Sequence, residues 1–290
     1  MIAPLTALLA LALQGPRDTM LVTTVWLQRH LHDPKLVLLQ VGPKPTYDTA
    51  HVAGAQFMAF TDFSAPRDTT RPALELPTAA MFDSVLEARG VSDDSRIVIY
   101  SSDEWFSPTS RLYLTLVWAG LGARASILDG GLEAWRAAHG AVTAAVPAPR
   151  RGTLTLHPRG DVIVTTDFVR SHLHDPTIAL VDARDVPFFL GTWNGGFPQR
   201  GPQGHIPGAY NMPFGTVVDS TGHMFSVDQL KTMFGSVRAV PGDTVVTYCH
   251  VGQQGSLVWF AARLAGYEAR LYDDSFTEWN KSPQNPVERF

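Results

Sequence analysis

The chain has 290 residues, of which 45% are hydrophobic and only 17% are charged, and its formal net charge is −4 at neutral pH. This composition is typical of a globular protein with a large core and excludes an intrinsically disordered chain. The absence of a lysine- or arginine-rich run argues against a nucleic-acid or membrane-surface partner, whereas a small anionic substrate needs only local positive charge. At this length two domains of ordinary size are expected.

The N-terminal segment has the features of a short secretory signal. LTALLALAL at 5–13 is an apolar run of suitable length for a signal and too short to span a bilayer. Ala10-Leu11-Ala12 offers a cleavage pattern, although no Lys or Arg precedes the run. We predict that residues 1–20 are a signal peptide or N-terminal extension of a periplasmic or secreted protein without stable membrane insertion. A frayed helix in a cytoplasmic protein is the alternative.

A domain-sized internal duplication organises the chain. The segment VTTVWLQRHLHDP at 22–34 returns as VTTDFVRSHLHDP at 164–176. Further pairs follow in the same order: HVAGA at 51–55 with HIPGA at 205–209, IVIYS at 97–101 with VVTYC at 245–249, and LDGGLEAW at 128–135 with YDDSFTEW at 272–279. Because the repeat is as long as a domain, it indicates a duplicated domain and not a solenoid.

Each copy alternates short β-branched runs with helical patterns. In the second copy the strand candidates are TIALVDA, DTVVTY and EARLYD, and the helix that starts near Thr165 has a capping residue. This alternation predicts an α/β fold in which each copy is a mainly parallel sheet flanked by helices. The Pro-, Arg- and Gly-rich segment 145–161 is predicted to be a linker between domains at 21–144 and 162–290.

Cys249 is the only cysteine, and it lies between the predicted strand DTVVTY and the helical stretch SLVWFAARLAG. Ligands bind outside the carboxyl ends of parallel strands. There, backbone N–H groups and a helix dipole can stabilise a thiolate. A lone thiol cannot form an intramolecular disulfide and supplies too few ligands for zinc. The residue is therefore either a buried hydrophobe or a reactive nucleophile, and no metal or cofactor is predicted.

The two copies differ at this position. Ser101 stands where the second copy has Cys249, and the loop that follows it carries Asp103 and Glu104, which would oppose a bound anion. The first copy also has no counterpart of Arg184. We therefore predict that the first domain is inactive and packs against a catalytic second domain.

These features together resemble the two-domain form of the rhodanese family of sulfurtransferases. The resemblance covers nearly the whole chain after about Met20 and depends on Asp182-x-Arg184, on GHIPGA at 204–209, on Tyr248-Cys249 with its loop, and on 273–279. It implies two tandem rhodanese-like domains, with Cys249 as the active cysteine of the second.

The residues themselves support this chemistry. A loop that contains Gly252 and Gly255 can turn its amides inward as an anion-binding nest, which would stabilise a thiolate and a persulfide anion. The Cys249 thiolate would attack the outer sulfur of a small anionic donor, releasing sulfite or an enolate-type carbanion. The resulting persulfide would pass its sulfur to a thiol, sulfite or cyanide acceptor.

The predicted donor-binding residues surround this loop. By resemblance, Arg184 binds the anionic group of the donor, and an ion pair with Asp182 is the alternative. Arg200 lies in a segment absent from the first copy, and its alternative is a solvated loop residue. His250 would aid donor binding when protonated, or would simply be solvated. The set is completed by Gly252, Gln253, Gln254 and Gly255.

Two other conspicuous residue types are assigned to structure. The first copy keeps His51 although it has no nucleophile, so His205 is predicted to be structural. Trp135 and Trp279 are present in both copies and are predicted to pack in the core or the cleft wall.

The sequence favours a thiosulfate sulfurtransferase. A 3-mercaptopyruvate sulfurtransferase is the alternative, but its monocarboxylate would call for two well-placed arginines, of which only Arg184 is secure. A non-enzymatic module that carries a persulfide is a further alternative. A phosphatase is disfavoured because its C-x5-R loop needs an arginine at the position of Gly255.

Overall fold

The structure of the protein is a computed structural model that describes residues 19–68, 73–102, 106–196 and 202–289. The predicted signal segment up to residue 18, the acidic residues Asp103 and Glu104, and Arg200 lie outside the described residues. Within the described ranges, no helix is long and apolar enough to cross a membrane.

The first copy forms a five-stranded parallel sheet in the spatial order β1-β6-β5-β2-β4. Its elements include a small antiparallel pair, β3 with β7. The strands are β1 (Leu21–Val22), β2 (Leu36–Val41), β3 (His51–Val52), β4 (Gln56–Met58), β5 (Arg96–Ser101), β6 (Ala125–Leu128) and β7 (Val142–Thr143). The helices are α1 (Thr24–His30), α2 (Lys44–Thr49), α3 (Ala79–Ala88), α4 (Ser107–Trp118) and α5 (Gly131–Ala137).

The second copy repeats this sheet strand for strand, in the order β10-β9-β11-β12-β8 with all neighbours parallel. Its strands are β8 (Ile163–Val164), β9 (Ile178–Asp182), β10 (Tyr210–Asn211), β11 (Thr244–Tyr248) and β12 (Glu268–Tyr272). Its helices are α6 (Thr166–Ser171), α7 (Val186–Phe189), α8 (Val227–Ser236), α9 (Gln253–Leu264) and α10 (Ser275–Trp279). The predicted α/β fold with two parallel sheets flanked by helices is confirmed.

Capping of the first helix is the same in both copies. The Thr23 hydroxyl accepts the N–H of Trp26 at 3.1 Å, and the Thr165 hydroxyl accepts the N–H of Phe168 at 3.2 Å. Each threonine satisfies an amide that the first helical turn leaves without an acceptor. The repeated VTT motif therefore marks the strand-to-helix turn that opens each domain.

Alternation along the strands divides the apolar side chains between two faces of each sheet. In β11, Val245 contributes to a core that is continuous between the two domains, whereas Val246 and Tyr248 point into a core that belongs to the second domain alone. A strand buried on both faces reads as a continuous apolar run, which explains the composition of DTVVTY. The domains are therefore joined by a shared apolar layer.

Helix α4 of the first domain packs against α9 of the second within that shared layer. Both helices have 12 residues, and their fourth residues, Ser110 and Ser256, are in contact with their hydroxyl oxygens 3.0 Å apart. Tyr113 and Phe260 meet edge to face at a centroid distance of 4.9 Å. The contact between Ser110 and Ser256 therefore joins equivalent positions of the two copies across the interface.

The segment predicted to be a linker runs along the first domain without regular secondary structure. Gly152 donates its N–H to the carbonyl of Glu87 at 2.8 Å, and His157 donates its N–H to the carbonyl of Ala119 at 3.0 Å. Leu154 is buried between them. These contacts fix the path of the segment from one sheet to the other.

A buried ion pair also links the two domains. The guanidinium of Arg111, on α4, donates to both carboxylate oxygens of Asp273, which directly follows β12, with an Nη2–Oδ2 distance of 3.0 Å. Nη2 also donates to the carbonyl of Leu74 at 2.6 Å. The side chain of Arg111 has no exposed surface, and that of Asp273 is 10% exposed. Each charge is therefore compensated only within the protein.

We expect Arg111→Met to lower the free energy of unfolding by about 3–5 kcal/mol, because it leaves the Asp273 carboxylate buried without its cation. Urea unfolding measures the loss. The matched control is Arg151→Met, whose exposed guanidinium pairs with Glu87 at 2.7 Å and should cost about 0–1 kcal/mol. An equal loss of unfolding free energy in the two variants would contradict a stabilising role of the buried Arg111–Asp273 ion pair.

Candidate active site

Cys249 follows β11 at the carboxyl edge of the sheet and begins a short loop that leads into α9. Its thiol is free and its relative exposure is 1%. Burial alone would suit a small core residue. The loop contacts around Cys249, and the position of the loop at the N-terminus of a helix, distinguish this cysteine from ordinary core residues.

The serine that begins α10 holds this loop. The backbone N–H groups of Cys249 and Gly252 both donate to the hydroxyl of Ser275, each at 3.1 Å. That hydroxyl donates in turn to the carbonyl of Tyr272 at 2.9 Å. The N–H of Phe276 donates to the carbonyl of Cys249 at 3.0 Å. Both ends of the loop are therefore attached to the same segment after β12.

Helix α9 directs its N-terminus toward the loop. Gly252 is the N-cap residue with φ +81°, and a Cβ there would overlap the Oδ1 atom of Asp273, so the position needs glycine. Helix geometry leaves the N–H groups of Gln253, Gln254 and Gly255 without an acceptor inside the helix. Together with the helix dipole, these groups favour a negative charge next to Cys249.

Gly252 and Gly255 were predicted to turn their amides inward as an anion-binding nest, and the structure gives each glycine a further role. The N–H of Gly252 donates to the hydroxyl of Ser275, and a donor-binding role for Gly252 stays a prediction. A Cβ on Gly255 would lie 2.9 Å from Leu271 Cδ1 and 3.1 Å from the carbonyl carbon of Tyr248. Gly255 is therefore needed for the close packing of α9 on the sheet, while its own N–H belongs to the helix terminus.

The two glutamines of the loop have different environments. The side-chain amide of Gln253 donates to the hydroxyl of Ser107 at 3.2 Å and thereby joins the domain interface. The buried Oε1 of Gln254 has no hydrogen-bond partner among the residues that the structure describes. A donor-binding role stays a prediction for both, and Gln254 is the better placed because its polar atoms are not committed to the interface.

Arg184 is buried and forms the ion pair that the sequence offered as its alternative. Its Nη2 lies 2.5 Å from Oδ2 of Asp182 and donates to the carbonyl of Gly204 at 2.7 Å, while the guanidinium stacks on Phe276 at 3.9 Å. Burial acts to lower the pKa of Arg184, but Asp182 raises it, with a smaller contribution from Cys249, and the net shift is upward. Arg184 therefore stays a cation that interacts favourably with a Cys249 thiolate.

His250 is half-buried and directly follows Cys249. Its ring meets Phe188 edge to face at a centroid distance of 4.6 Å. Burial, and then the positive charge of Arg184, lower the pKa of His250 to about 4. The imidazole is therefore neutral at physiological pH, and a donor-binding role for His250 stays a prediction that has to rest on its neutral form. His250 is not a fully solvated loop residue.

The repeated histidine supports the loop structure in both domains, as predicted. His205 stacks on Phe189 at 3.9 Å and bonds through Nδ1 to the carbonyl of Phe189 at 2.9 Å. His51 stacks on Tyr47 at 4.0 Å and bonds through Nδ1 to the carbonyl of Tyr47 at 2.7 Å. Because the geometry is the same in the first copy, which has no cysteine, it has no specific link to the thiol.

The repeated tryptophans are core residues, as predicted. Trp135 donates its indole N–H to the carbonyl of Ala141 at 3.0 Å, and Trp279 donates to the carbonyl of Pro286 at 2.8 Å. Both are buried. The indole N–H of each tryptophan therefore has an acceptor inside its own domain.

The sequence analysis did not identify Ser275, Asp273 and Arg111 as neighbours of the Cys249 loop. For Ser275 a signal was present, because the duplication aligns it with Gly131. For Arg111 there was none, because only the packing of the two domains brings it to Asp273. In the described part of the chain no group of three His, Cys, Asp or Glu residues could hold a metal ion.

Fold and site together define an α/β protein with a single thiol at the N-terminus of a helix, in one of two duplicated domains. The family model of the rhodanese-like domain matches residues 23–138 and 165–282. The chain therefore belongs to the rhodanese family, and it has the tandem form of that family.

Curated relatives match over almost the full length. A probable 3-mercaptopyruvate sulfurtransferase of Pseudomonas aeruginosa is 33% identical, over 92% of this chain and 97% of the relative. The sulfur carrier protein TtuD of Thermus thermophilus is 29% identical, over 92% and 95%. The putative thiosulfate sulfurtransferase SseA of Mycobacterium tuberculosis is 28% identical, over 92% and 90%.

Solved structures share the fold. YnjE superposes with a TM-score of 0.83 at 22% identity, covering 95% of this chain and 70% of that one. EanB in complex with hercynine superposes with a TM-score of 0.81 at 21% identity, with the same coverage. At this identity the likeness concerns the arrangement of the two domains alone.

The lowered pKa of His250 predicts a pH dependence of stability. Between its unfolded pKa of 6.5 and about 4, the unfolded chain is protonated at His250 and the folded chain is not, so stability falls as the pH is lowered through this window. His250→Gln should remove this loss, which is up to about 3 kcal/mol. Urea unfolding at neutral pH and near pH 4 measures it.

The control for this measurement is His157→Gln, which replaces an exposed imidazole on the linker. It should keep the pH dependence of the unaltered protein. If His250→Gln lost as much stability on acidification as the unaltered protein, the buried neutral state of His250 would be wrong.

Proposed function

We propose that this chain transfers a sulfane sulfur from a small anionic donor, through a persulfide on Cys249, to a thiol or cyanide acceptor. The chain is a sulfurtransferase, since it has tandem rhodanese-like domains and its full-length relatives are named thiosulfate and 3-mercaptopyruvate sulfurtransferases. The donor, the persulfide and the roles of individual residues are the proposal.

The observation that carries the proposal is the position of Cys249 between a strand end and the N-terminus of a 12-residue helix. The N–H groups of Gln253 to Gly255 and the cation of Arg184 favour negative charge at this place. The same groups would stabilise the thiolate before transfer and the persulfide anion after it.

The reaction divides into two displacements at sulfur. The thiolate of Cys249 attacks the outer sulfur of thiosulfate, the bond between the two thiosulfate sulfurs breaks, and sulfite leaves with the bonding electrons. The carbon of cyanide then attacks the terminal sulfur of the persulfide. Thiocyanate forms, and the thiolate of Cys249 is regenerated.

Thiosulfate is favoured as the donor by the charges around the loop. Arg184 is committed to Asp182, and Arg111 to Asp273, so neither has a free fork of donors for a carboxylate. A compact dianion instead fits a site made of helix N–H groups and a fixed positive field.

3-Mercaptopyruvate is the second candidate, supported by the name of the Pseudomonas relative. A sulfur carrier without its own acceptor chemistry is the third, supported by the name of the Thermus relative.

Incubation with thiosulfate is expected to add one sulfur atom to the intact mass of the protein, and cyanide should remove it. Cys249→Ser should show no gain, because a hydroxyl does not form a persulfide. Mass spectrometry under non-reducing conditions measures both. An unaltered protein that gains no sulfur from thiosulfate or from 3-mercaptopyruvate would sink the proposal.

The donor itself is tested by steady-state kinetics. We expect kcat/KM to be higher for thiosulfate than for 3-mercaptopyruvate, with cyanide as the acceptor for both. Gln254→Ala should raise KM for thiosulfate with little change in kcat, because it removes a polar group that holds the donor before and during the transfer. Gln253→Ala, whose side-chain amide is bonded to Ser107, should raise KM less. A clear preference for 3-mercaptopyruvate would overturn the choice of donor while leaving sulfur transfer intact.

A further inference from the structure

Ser275 has a backbone conformation that normally selects glycine. Its φ is +57°, in the left-handed region, and its side chain is fully buried. The equivalent residue of the inactive copy is Gly131, with the same φ of +57°. A residue with a side chain is strained in this conformation. Such strain persists where contacts of the surrounding structure stabilise the side chain, and it is concentrated at functional sites.

All the hydrogen-bonding capacity of the Ser275 hydroxyl is used. It accepts the N–H of Cys249 and the N–H of Gly252, and it donates to the carbonyl of Tyr272. A hydroxyl has one proton to donate and two lone pairs to accept with. The two amides belong to the first and last residues of the catalytic loop. One atom therefore fixes the distance between the end of β11 and the start of α9.

The rest of α10 holds the carbonyl side of the same loop. The N–H of Phe276 donates to the carbonyl of Cys249 at 3.0 Å, and the N–H of Thr277 donates to the carbonyl of His250 at 3.2 Å. With two of its carbonyls and two of its amides bound in this way, the loop has little freedom to turn. The N–H groups at the start of α9 are consequently held in a fixed position relative to the Cys249 sulfur.

The inactive copy arranges the same corner differently. A Cβ on Gly131 would lie 2.5 Å from the hydroxyl oxygen of Ser101, so that hydroxyl occupies the place of a side chain at position 131. In the catalytic copy the hydroxyl is instead on Ser275, and the strand-end residue carries the thiol. The exchange of Ser101 for Cys249 is thus accompanied by the exchange of Gly131 for Ser275.

We propose that Ser275 is a positioning residue for Cys249, whose hydroxyl holds the catalytic loop so that the N-terminus of α9 faces the sulfur. The inference rests on the proposed role of Cys249 as the nucleophile. Without the hydroxyl, the amides of Cys249 and Gly252 lose their acceptor and the loop can relax. The thiolate and the persulfide anion are then less stabilised, although the donor-binding groups remain.

The test compares two substitutions that remove the hydroxyl with opposite effects on strain. Ser275→Gly relieves the left-handed strain, whereas Ser275→Ala keeps it. The control is Ser226→Ala, which removes another serine hydroxyl that accepts a backbone N–H, at the N-cap of α8 and remote from Cys249. The readouts are the pH profile of Cys249 alkylation by iodoacetamide, and kcat and KM for thiosulfate.

Both Ser275 variants should lower kcat by roughly 10- to 100-fold, the range expected for a misplaced reacting group, with a smaller change in KM. The midpoint of the alkylation profile should move to higher pH in both, and Ser226→Ala should change neither readout. Ser275→Gly has no strain to hinder folding, so it keeps the test decisive if the alanine variant does not fold.

Other results would overturn the proposal. An unchanged alkylation profile in Ser275→Gly would do so, as would activity lost in the alanine variant and retained in the glycine variant, which would assign the effect to strain. Alkylation does not require sulfur transfer. A failure of thiosulfate to load the unaltered protein would therefore count against the proposed donor chemistry and leave the positioning role to be judged on the alkylation profile.

Discussion

The packing of α4 against α9 is the contact on which the arrangement of the site depends. Each helix begins directly after the loop that follows the central strand of its own sheet. Their first turns meet at Ser110 and Ser256, whose hydroxyl oxygens are 3.0 Å apart, and small side chains at this point allow the close approach. The loop of Cys249 consequently lies against the first domain and is not left open on the surface of its own domain.

This contact explains how the first domain forms part of the surroundings of Cys249 although it has no cysteine of its own. It supplies Ser107 to Gln253 and Arg111 to Asp273. Asp273, whose carboxylate is paired with Arg111, also leaves no room for a side chain at Gly252. The first copy thus contributes packing and a buried cation, and neither contribution needs a cysteine in that copy.

Much of the fold and of the site could be predicted from the sequence because the two duplicated copies can be compared with each other. The duplication predicted the paired sheets, the position of Cys249 at a strand end, and a first copy with Ser101 in its place. The roles of His205 and Trp279 followed from their retention in that copy. The protonation of His250 could not be predicted in this way, because its burial depends on Phe188 and on the charge of Arg184, which come from other parts of the chain. The pairing of Arg111 with Asp273 depends on a helix-to-helix contact between domains, and no local pattern records it.

The path of the linker has a consequence for how the molecule unfolds. A flexible tether would let each domain open separately, with its own transition. Here the segment after β7 is hydrogen-bonded to the first domain at Gly152 and His157, and it leads into the second sheet, while one apolar core runs through both domains. Unfolding of either domain would expose the apolar surface of the other domain. It would also release β8, the first strand of the second domain, which directly follows the linker. We therefore expect the two duplicated units to unfold in a single cooperative transition, so that the sequence repeat does not correspond to an independent unit of stability.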